Sequence, residues 1–492
     1  MLSIAKMSAG SAVSYHIHMQ KDGQVEDYYS KEGEGKWAGE GAAKMGLTGT
    51  VNAADFKSLA EGFDPKTGEK LTQNSGKTER IAGYDATFSA PKSVSIAMSV
   101  SSESDAKLIQ QAHDKAVQTA LQFVQDKQSF SRTGHDGLVK EKASLIIATF
   151  NHQTSREQDP QIHTHSFIMN VAQRQNGTTG SLDATKIYDY KMATGAIYRA
   201  ELASQMKNLG YKIEREGDSF RIQGVSKDAD LEFSTRRQQI EKELEKTGQS
   251  GAKASQIAAL STRQPKQIKN QNELKSLWKD QAHAIGVREQ DFKTDLHKTP
   301  DAQLIMPTNS IVLDAITNNK SLVKEQDIYR TAAIESIGNL TSKEAISLAE
   351  AVKKDAITMQ KEGANGKNYG EVKYTNQATI DREKHIVDMA KRVDTTNGLI
   401  KESVEIALKM NTDKGITLSQ EQAKVALELS QAGAVKVLIG DAGTGKSTTL
   451  EVVKNAYERE KWQVLGAAPT GKAAAGLQEG AGIKADTLLN YT

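Results

Sequence analysis

The residues best suited to chemistry are three histidines within fourteen positions, His152, His163 and His165. His163 and His165 lie two apart in a run that predicts a β-strand, so both rings point to one face of a sheet. His152 ends the preceding predicted strand, and antiparallel pairing would bring it beside them. The alternative is that they are ordinary strand residues at the surface.

Three imidazoles on one face, with no cysteine or fourth histidine nearby, favour a divalent metal with an open coordination position. Imidazole suits Zn, Cu, Fe or Ni, whereas phosphate chemistry could recruit Mg or Mn, so the residues do not identify the metal.

A metal that polarises a phosphate needs a nucleophile, and the N-terminal region offers Tyr15, Tyr28 and Tyr29. A phenol has a pKa near 10 and attacks poorly unless its proton is removed or its anion is stabilised. Asp85 lies in the strand-like run GYDATFSAPKSVS. Its carboxylate could orient a metal-binding histidine, act as general base for a tyrosine, or simply cap a turn.

A second chemical motif lies near the other end of the sequence, in IGDAGTGKSTTL. The pattern G-x-x-x-x-G-K-S between a predicted strand and a predicted helix indicates a phosphate-binding loop. Backbone N–H groups at the glycines surround phosphates, the lysine reaches the β and γ oxygens, and the serine binds Mg²⁺. The residues concerned are Gly440, Gly443, Gly445, Lys446 and Ser447.

Composition excludes several classes of protein. The 492 residues contain no cysteine, which rules out a disulfide scaffold, a thiolate metal site and cysteine catalysis. No apolar run reaches membrane-spanning length and no signal peptide is evident, so we expect a cytoplasmic protein without membrane insertion. The net charge is only +2, but residues 236–279 hold ten Lys and Arg against four Glu. That local excess could contact DNA phosphates or be a solvated helix face.

The elements that must position these residues change in character along the chain. Residues 1–300 mix strand-like and helical runs and predict an α+β domain with an antiparallel sheet. Residues 308–372 predict a helical or winged-helix-like module, or a packing spacer, after a linker at Pro300–Pro307. Residues 373–492 alternate strand and helix, which is typical of a parallel α/β sheet. A second candidate joint is Lys361–Glu371, which is rich in Gly, Asn and Lys.

Three features together resemble the conjugative relaxases of the MobF class, which are the relaxase–helicases of plasmids. They are the N-terminal tyrosines, the run GYDATFSAPKSVS and the run FNHQTSREQDPQIHTH. The likeness covers about residues 1–300 and implies the His-hydrophobe-His endonuclease fold. It also implies strand-specific nicking of single-stranded DNA at a transfer origin, with a tyrosine joined to the 5′ phosphate. A relaxosome, a type IV secretion coupling protein and translocation from a bacterial donor cell would follow.

By this resemblance Tyr15 matches the first nucleophile and Tyr28 the later one, with Tyr29 as fallback. Asp85 matches the carboxylate beside the active site, and the three histidines match the metal triad, which would hold Mg, Mn or Zn. Two features depart from the family pattern. The first tyrosine is followed by His16 where the family often has a tyrosine doublet, and the stretch to Tyr28 is longer than expected.

The last residues resemble the beginning of a superfamily 1 helicase domain of RecA-like fold. Gln422 in TLSQEQ is similar to the adenine-reading Q motif, and APTGKAA is similar to a motif that touches single-stranded DNA. No apolar run followed by Asp-Glu occurs in the 45 residues after Ser447. We therefore expect an incomplete helicase portion that binds ATP at most weakly and does not unwind DNA.

Two other functions remain open on these residues. One is a rolling-circle replication initiator, although those place the histidine motif before the tyrosine. The other is a DNA-binding accessory or remnant without catalysis.

Overall fold

The computed structural model describes most of the chain and divides it into two compact units, Met1–Asn376 and Gln377–Thr492. The described residues are 1–12, 35–134, 137, 139–155, 157–248, 251, 254, 258, 271–292, 307–318, 320–362, 368–391, 398–399, 401–433, 435–441 and 443–491. No described helix is both long enough and apolar enough to cross a membrane.

The first unit is built on a seven-stranded antiparallel sheet, whose central path runs β1-β3-β6-β5-β2. Strand β4 pairs with β5, and β7 pairs with β6. The antiparallel α+β domain predicted from the sequence is thereby confirmed. The strands are β1 (Leu2–Ser8), β2 (Lys36–Ala38), β3 (Ile81–Ser89), β4 (Phe130–Thr133), β5 (Val139–Thr154), β6 (Pro160–Arg174) and β7 (Thr179–Gly180).

Helices cover both faces of this sheet because its strands are apolar on both sides. One face packs with Phe88 and Ile147 into the larger core, and the other packs with Phe150 and Phe167 into a smaller one. The helices are α1 (Glu40–Lys44), α2 (Ala53–Glu61), α3 (Lys92–Val100), α4 (Glu103–Gln128), α5 (Thr185–Asp189), α6 (Lys191–Asn208), α7 (Lys227–Glu232), α8 (Thr235–Thr247) and α9 (Gln271–Ala284). A small hairpin of β8 (Ile213–Glu216) and β9 (Ser219–Ile222) follows α6.

The 26-residue helix α4 illustrates how the sequence produces these elements. Ser102 caps its N-terminus by accepting a hydrogen bond from the backbone N–H of Asp105. Apolar residues then recur at helical spacing on one stripe, which faces the sheet. The predicted helices Asp105–Gln128 and Lys191–Leu209 are both confirmed, within a few residues at their ends.

Three helices and a hairpin complete the first unit: α10 (Asn309–Thr317), α11 (Glu325–Glu335), α12 (Ser342–Asp355), β10 (Ile357–Glu362) and β11 (Asn368–Thr375). The described residues of the candidate joint Lys361–Glu371 belong to the paired strands β10 and β11, and the first unit ends five residues later, at Asn376. The predicted boundary at 372/373 falls within β11, and the linker residues 301–306 lie outside the described part.

The second unit contains five helices among its described residues and a two-stranded parallel sheet, β12 (Leu465–Ala468) with β13 (Lys484–Thr487). The helices are α13 (Gln377–Lys391), α14 (Lys401–Asp413), α15 (Gln420–Leu429), α16 (Lys446–Arg459) and α17 (Gly471–Ala481). The strand expected over 434–440 is not formed in described residues 435–440, where Val437 and Ile439 are exposed. An apolar run becomes a strand only when neighbouring strands satisfy its backbone.

Candidate functional site

The three histidines converge at one end of the large sheet. Antiparallel pairing of β5 and β6 sets His152 directly opposite His163, as the sequence predicted, and sets Phe150 opposite His165. The ring centroids are 5.1 Å apart for His152–His163 and 5.2 Å apart for each of the other two pairs. Side chains alternate along a strand, so the histidines extend the sheet face that carries Phe150 and Phe167.

Hydrogen bonds orient two of the rings. His165 Nδ1 lies 2.8 Å from Asp85 Oδ2 and 3.1 Å from Thr87 Oγ1, while His163 Nδ1 lies 2.9 Å from the carbonyl oxygen of Gln161. A carboxylate and a carbonyl can only accept, so we assign the proton of each ring to Nδ1. This tautomer puts the lone pair of each ring on Nε2, the atom through which it could coordinate a metal.

The separation of the rings fits a shared cation. Imidazoles that bind one ion tetrahedrally, with nitrogens at about 2.1 Å, have ring centres roughly 5 Å apart. Among the described residues, however, no group of three or more His, Asp or Glu side chains is placed so that it could hold a metal ion. The three rings therefore have the spacing of metal-bound imidazoles, but in this conformation their nitrogens do not form a coordination site.

Asp85 has two different oxygen environments. Oδ2 accepts from His165, whereas Oδ1 is buried and has no hydrogen-bond partner within the described part of the chain. The Asp85 side chain is 9% exposed and the His165 ring 20% exposed. A buried carboxylate oxygen without a hydrogen-bond donor raises the free energy of the fold. Oδ1 is therefore suited to accept a proton, or a hydrogen bond from a hydroxyl group, from outside the described residues.

The loop between β5 and β6 is held in place by hydrogen bonds from residues that the sequence analysis did not identify. Trp278 on α9 donates its indole N–H to the carbonyl of Gln158 at 2.8 Å. Asp159 accepts from the backbone and hydroxyl of Thr235, at 3.0 and 2.9 Å, where α8 begins. Lys92 donates to the carbonyl of Pro160 at 3.0 Å. Only the tryptophan, within a charged stretch, could have been noticed as a local sequence signal.

Burial around this loop changes the charge state of its lysine. Desolvation lowers the pKa of Lys92 to about 8, although the negative charges of Asp159 and Asp230 act in the opposite direction. The neighbouring carboxylates therefore offset only part of the cost of burying the Lys92 ammonium. Its hydrogen bond fixes it beside Pro160, the first residue of β6.

The three candidate tyrosines, Tyr15, Tyr28 and Tyr29, lie outside the described residues. The chain after them rejoins the sheet at Gly35, close to the histidines. A side chain at Gly35 would collide with the ring of Phe150, the residue opposite His165. Tyr28 is seven residues from Gly35, a span of at most about 25 Å.

The predicted phosphate loop of the second unit is followed by a helix, as the sequence implied, whereas the strand expected before it is not formed among the described residues. Gly443 and Gly445 have φ of 82° and 77°, which is the left-handed region that glycine tolerates. Helix α16 begins at Lys446, whose ammonium donates to the carbonyls of Gly440 and Asp441 at 2.6 and 2.5 Å. Lys446 therefore closes the loop in this conformation.

Gln422 and Ser447 also border the loop. Gln422 donates to the carbonyl of Thr444 at 2.9 Å and accepts from the backbone N–H of Ser419 at 2.9 Å. The side chain of Gln422 thus caps the N-terminus of α15 and also contacts the loop. A Cβ on Gly480 of α17 would lie 3.3 Å from the Ser447 hydroxyl, so these two helices approach closely there.

Comparisons with known proteins bear on both units. A family model described as TrwC relaxase matches residues 9–285, and one described as an AAA domain matches residues 417–492. The multifunctional conjugation protein TraI of Escherichia coli K12 is 38% identical over 283 residues, 54% of this chain and 15% of TraI. The conjugal transfer protein TraA of Rhizobium radiobacter is 26% identical over 216 residues, 43% of this chain and 19% of TraA.

Solved structures extend the likeness to three dimensions. One of the conjugative relaxase TrwC in complex with oriT DNA has a TM-score of 0.54 and 30% identity, over 59% of this chain and 100% of that one. A metal-bound TrwC–oriT DNA structure has a TM-score of 0.52 and 30% identity over the same shares. This chain thus spans the whole length of a solved TrwC chain but less than a fifth of TraI or TraA.

Proposed function

Because this chain belongs to the TrwC relaxase family, we propose that it nicks one DNA strand at a plasmid transfer origin and rejoins it. The reaction is a transesterification by a tyrosine, with no net hydrolysis of the phosphodiester. The observation that carries the proposal is the convergence of His152, His163 and His165 beside Asp85, whose Oδ1 lacks a described partner.

We assign the first cleavage to Tyr15. Its phenol oxygen forms a bond to phosphorus, the bond from phosphorus to the 3′ oxygen breaks, and that oxygen leaves as a 3′ hydroxyl. The product is a 5′-phosphotyrosyl linkage, and attack by a 3′ hydroxyl reverses the reaction. Tyr28, or Tyr29 in its place, would perform the cleavage that ends transfer.

Asp85 serves two purposes in this scheme. Oδ2 holds the Nδ1 proton of His165, which keeps the Nε2 lone pair directed away from the carboxylate. Oδ1 accepts the proton of the attacking phenol, which must be lost before the oxygen is an effective nucleophile.

The three histidines would hold a divalent metal ion through their Nε2 atoms. When bound, such an ion neutralises developing charge on the phosphate oxygens. Mg, Mn and Zn remain the candidates. The metal-bound TrwC structure supports a cation in the family, and the ring spacing here supports it for this chain.

The single-stranded DNA is also proposed to contact a mainly basic cavity, which lies on the sheet face opposite the histidine rings. This cavity of about 630 Å³ between α3, α4 and α9 is lined by Lys107, Lys275 and Lys279 and by one carboxylate, Glu103. Asn151 and Gln153, which flank His152, line it as well. Three ammonium groups around one groove favour a phosphate backbone and predict affinity that falls as salt rises.

For the second unit we propose weak ATP binding at the loop 440–447. Cytoplasmic location in a donor cell, relaxosome accessory proteins and a secretion coupling protein remain predictions of the MobF resemblance.

The decisive experiment incubates the purified chain and its Tyr15→Phe variant with an origin oligonucleotide and Mn²⁺, then analyses the protein by mass spectrometry. We expect a covalent oligonucleotide adduct on Tyr15 in the parent chain and none at that position in the variant. Absence of an adduct with Mg²⁺, Mn²⁺ and Zn²⁺ would instead support the non-catalytic remnant. Nicking of a replication origin in preference to a transfer origin would support the rolling-circle initiator.

A further inference from the structure

A continuous chain of hydrogen bonds lies on the opposite face of the sheet from the histidines. His113 on α4 is fully buried, with Nδ1 2.8 Å from the Tyr198 hydroxyl and Nε2 2.8 Å from Thr164 Oγ1. Thr164 donates to Asn151 Oδ1 at 2.6 Å, and Asn151 donates to Asp114 Oδ1 at 2.8 Å. Helices α4 and α6 are thereby joined to strands β5 and β6.

The direction of each hydrogen bond follows from its chemistry. The Asp114 carboxylate can only accept, so Asn151 presents its amide nitrogen to it and its carbonyl oxygen to Thr164. The single hydroxyl proton of Thr164 goes to that oxygen, so Thr164 must accept from His113. Nε2 of His113 therefore carries the ring proton, and its Nδ1 accepts from the Tyr198 hydroxyl.

Burial keeps this chain in one protonation state. Desolvation by burial, with a smaller electrostatic contribution from His163, lowers the pKa of His113 to about 3, so the ring is neutral at physiological pH. Burial also raises the pKa of the Tyr198 phenol well above its usual value. The directions assigned above therefore hold across the neutral range.

The series of hydrogen bonds reaches the strands at two residues, Thr164 and Asn151, which alternate with the histidines. Thr164 lies between His163 and His165 on β6, and Asn151 immediately precedes His152 on β5. The two residues are direct partners in the antiparallel register. A bond between their side chains ties the strands together one residue from all three rings, just before the irregularity between His152 and Thr154.

We propose that Tyr198, His113, Thr164, Asn151 and Asp114 form a positioning network that holds the histidine-bearing strands in the register and twist required for the three rings to bind one cation. None of these five side chains is among the proposed metal ligands, and they act through the backbone of β5 and β6; Asn151 also lines the cavity proposed to contact DNA. The inference rests on the proposed function only in its catalytic readout, because cation affinity tests it independently.

The test removes one hydroxyl while preserving shape. Thr164→Val keeps the β-branched volume but can neither accept from His113 nor donate to Asn151, whereas Thr164→Ser keeps the hydroxyl. Ser166→Ala is the matched control: it removes a buried hydroxyl two residues along the same face, and that hydroxyl has no hydrogen-bond partner among described residues. Tyr198→Phe removes the distal donor without altering either strand.

Four quantities are measured for each variant: Mn²⁺ affinity by calorimetry without DNA, kcat and KM for oligonucleotide cleavage, and the free energy of unfolding in urea. We expect Thr164→Val to weaken Mn²⁺ binding on the order of tenfold and to lower kcat at unchanged KM. Tyr198→Phe should change both in the same direction by less. Thr164→Ser and Ser166→Ala should match the parent chain.

Parent-like Mn²⁺ affinity and kcat in Thr164→Val, with only the free energy of unfolding reduced, would overturn the proposal. So would equal losses in Thr164→Val and Ser166→Ala, because they would indicate general core damage. A parent chain that binds Mn²⁺ but does not cleave would contradict the proposed function alone, and the affinity series would still decide this inference.

Discussion

His165 and Asp85 are 80 residues apart in sequence, yet Nδ1 of the imidazole lies 2.8 Å from Oδ2 of the carboxylate. They occupy adjacent strands, where Thr87 is the direct partner of His165 and Asp85 lies two residues further along the same face. This diagonal pairing sets the tautomer of the ring and leaves the second carboxylate oxygen free of described donors.

The pairing predicts the effect of removing the negative charge at this position. Asp85→Asn keeps the size of the side chain but is a far weaker base, so we expect the cleavage rate to fall on the order of 10²- to 10⁴-fold. Thr87→Val, which removes only the 3.1 Å contact to the same nitrogen, should cost less than about tenfold. Single-turnover cleavage of an origin oligonucleotide measures both rates. Cleavage by Asp85→Asn at the parent rate would exclude a role as base.

The bond from Trp278 to the loop between the histidine strands predicts a local change in stability. Trp278 is 4% exposed, and Trp278→Phe removes its 2.8 Å hydrogen bond and part of its packing. We expect the free energy of unfolding to fall by about 1–2 kcal/mol. Leu277→Ala, at an exposed neighbouring position, should change it by less than about 0.5 kcal/mol. Urea denaturation followed by fluorescence and circular dichroism compares the two, and equal losses would contradict a specific role for the indole.

The interface between helices α11 and α12 and helix α4 predicts that the stability of the fold depends on pH. Burial raises the pKa of Glu350, but hydrogen bonds from Lys127, Tyr329 and Lys353 outweigh it and lower the pKa to about 2. The unfolded value is 4.5, so the carboxylate stabilises the fold fully above that pH and progressively less as the pH falls toward 2.

Glu350→Gln should therefore be less stable than the parent chain at pH 7, and the difference should shrink between pH 4.5 and 3. Urea titrations at pH 7, 5, 4 and 3 measure it, with Glu362→Gln on the hairpin β10–β11 as control for loss of one charge. A difference that stays constant over this range would show that the interface does not depend on ionised Glu350.

Closure of the phosphate loop by Lys446 predicts how nucleotide binds. A phosphate must draw the ammonium away from the carbonyls of Gly440 and Asp441, which offsets part of the attraction. We expect weak binding of Mg-ATP, and at least tenfold weaker binding in Lys446→Ala, because the lysine contacts the β and γ oxygens. Lys424→Ala, at an exposed position on α15, should bind like the parent chain. Fluorescence titration with a labelled ATP analogue would refute the assignment if Lys446→Ala bound equally well.

Much of the candidate site was predictable because it depends on short-range periodicity. Two histidines two residues apart on a strand must share a sheet face. His152 ends the preceding strand, and only a short stretch of sequence separates the two strands, so they can form a hairpin. Likewise, the glycine spacing before Lys446 was enough to predict the loop and the start of its helix.

Two features depend on contacts that the local sequence does not contain. Residues 361–362 and 368–371 of the Gly- and Asn-rich stretch lie in β10 and β11, whose pairing joins residues that are not neighbours in sequence. Residues 435–440 have the apolar composition of a strand but no strand partner among the described residues, and Val435, Val437 and Ile439 are exposed.

The amino-acid order was sufficient to supply the candidate groups: three imidazoles, a carboxylate, N-terminal phenols and a phosphate loop. It could not supply the partner of each donor atom, since His165 meets Asp85 only through the strand order β3-β6-β5. Nor could it reveal that His113 and Tyr198, from two helices, would meet Thr164 behind the histidines. Such contacts depend on how distant segments pack, and packing is governed by the whole core rather than by any local pattern.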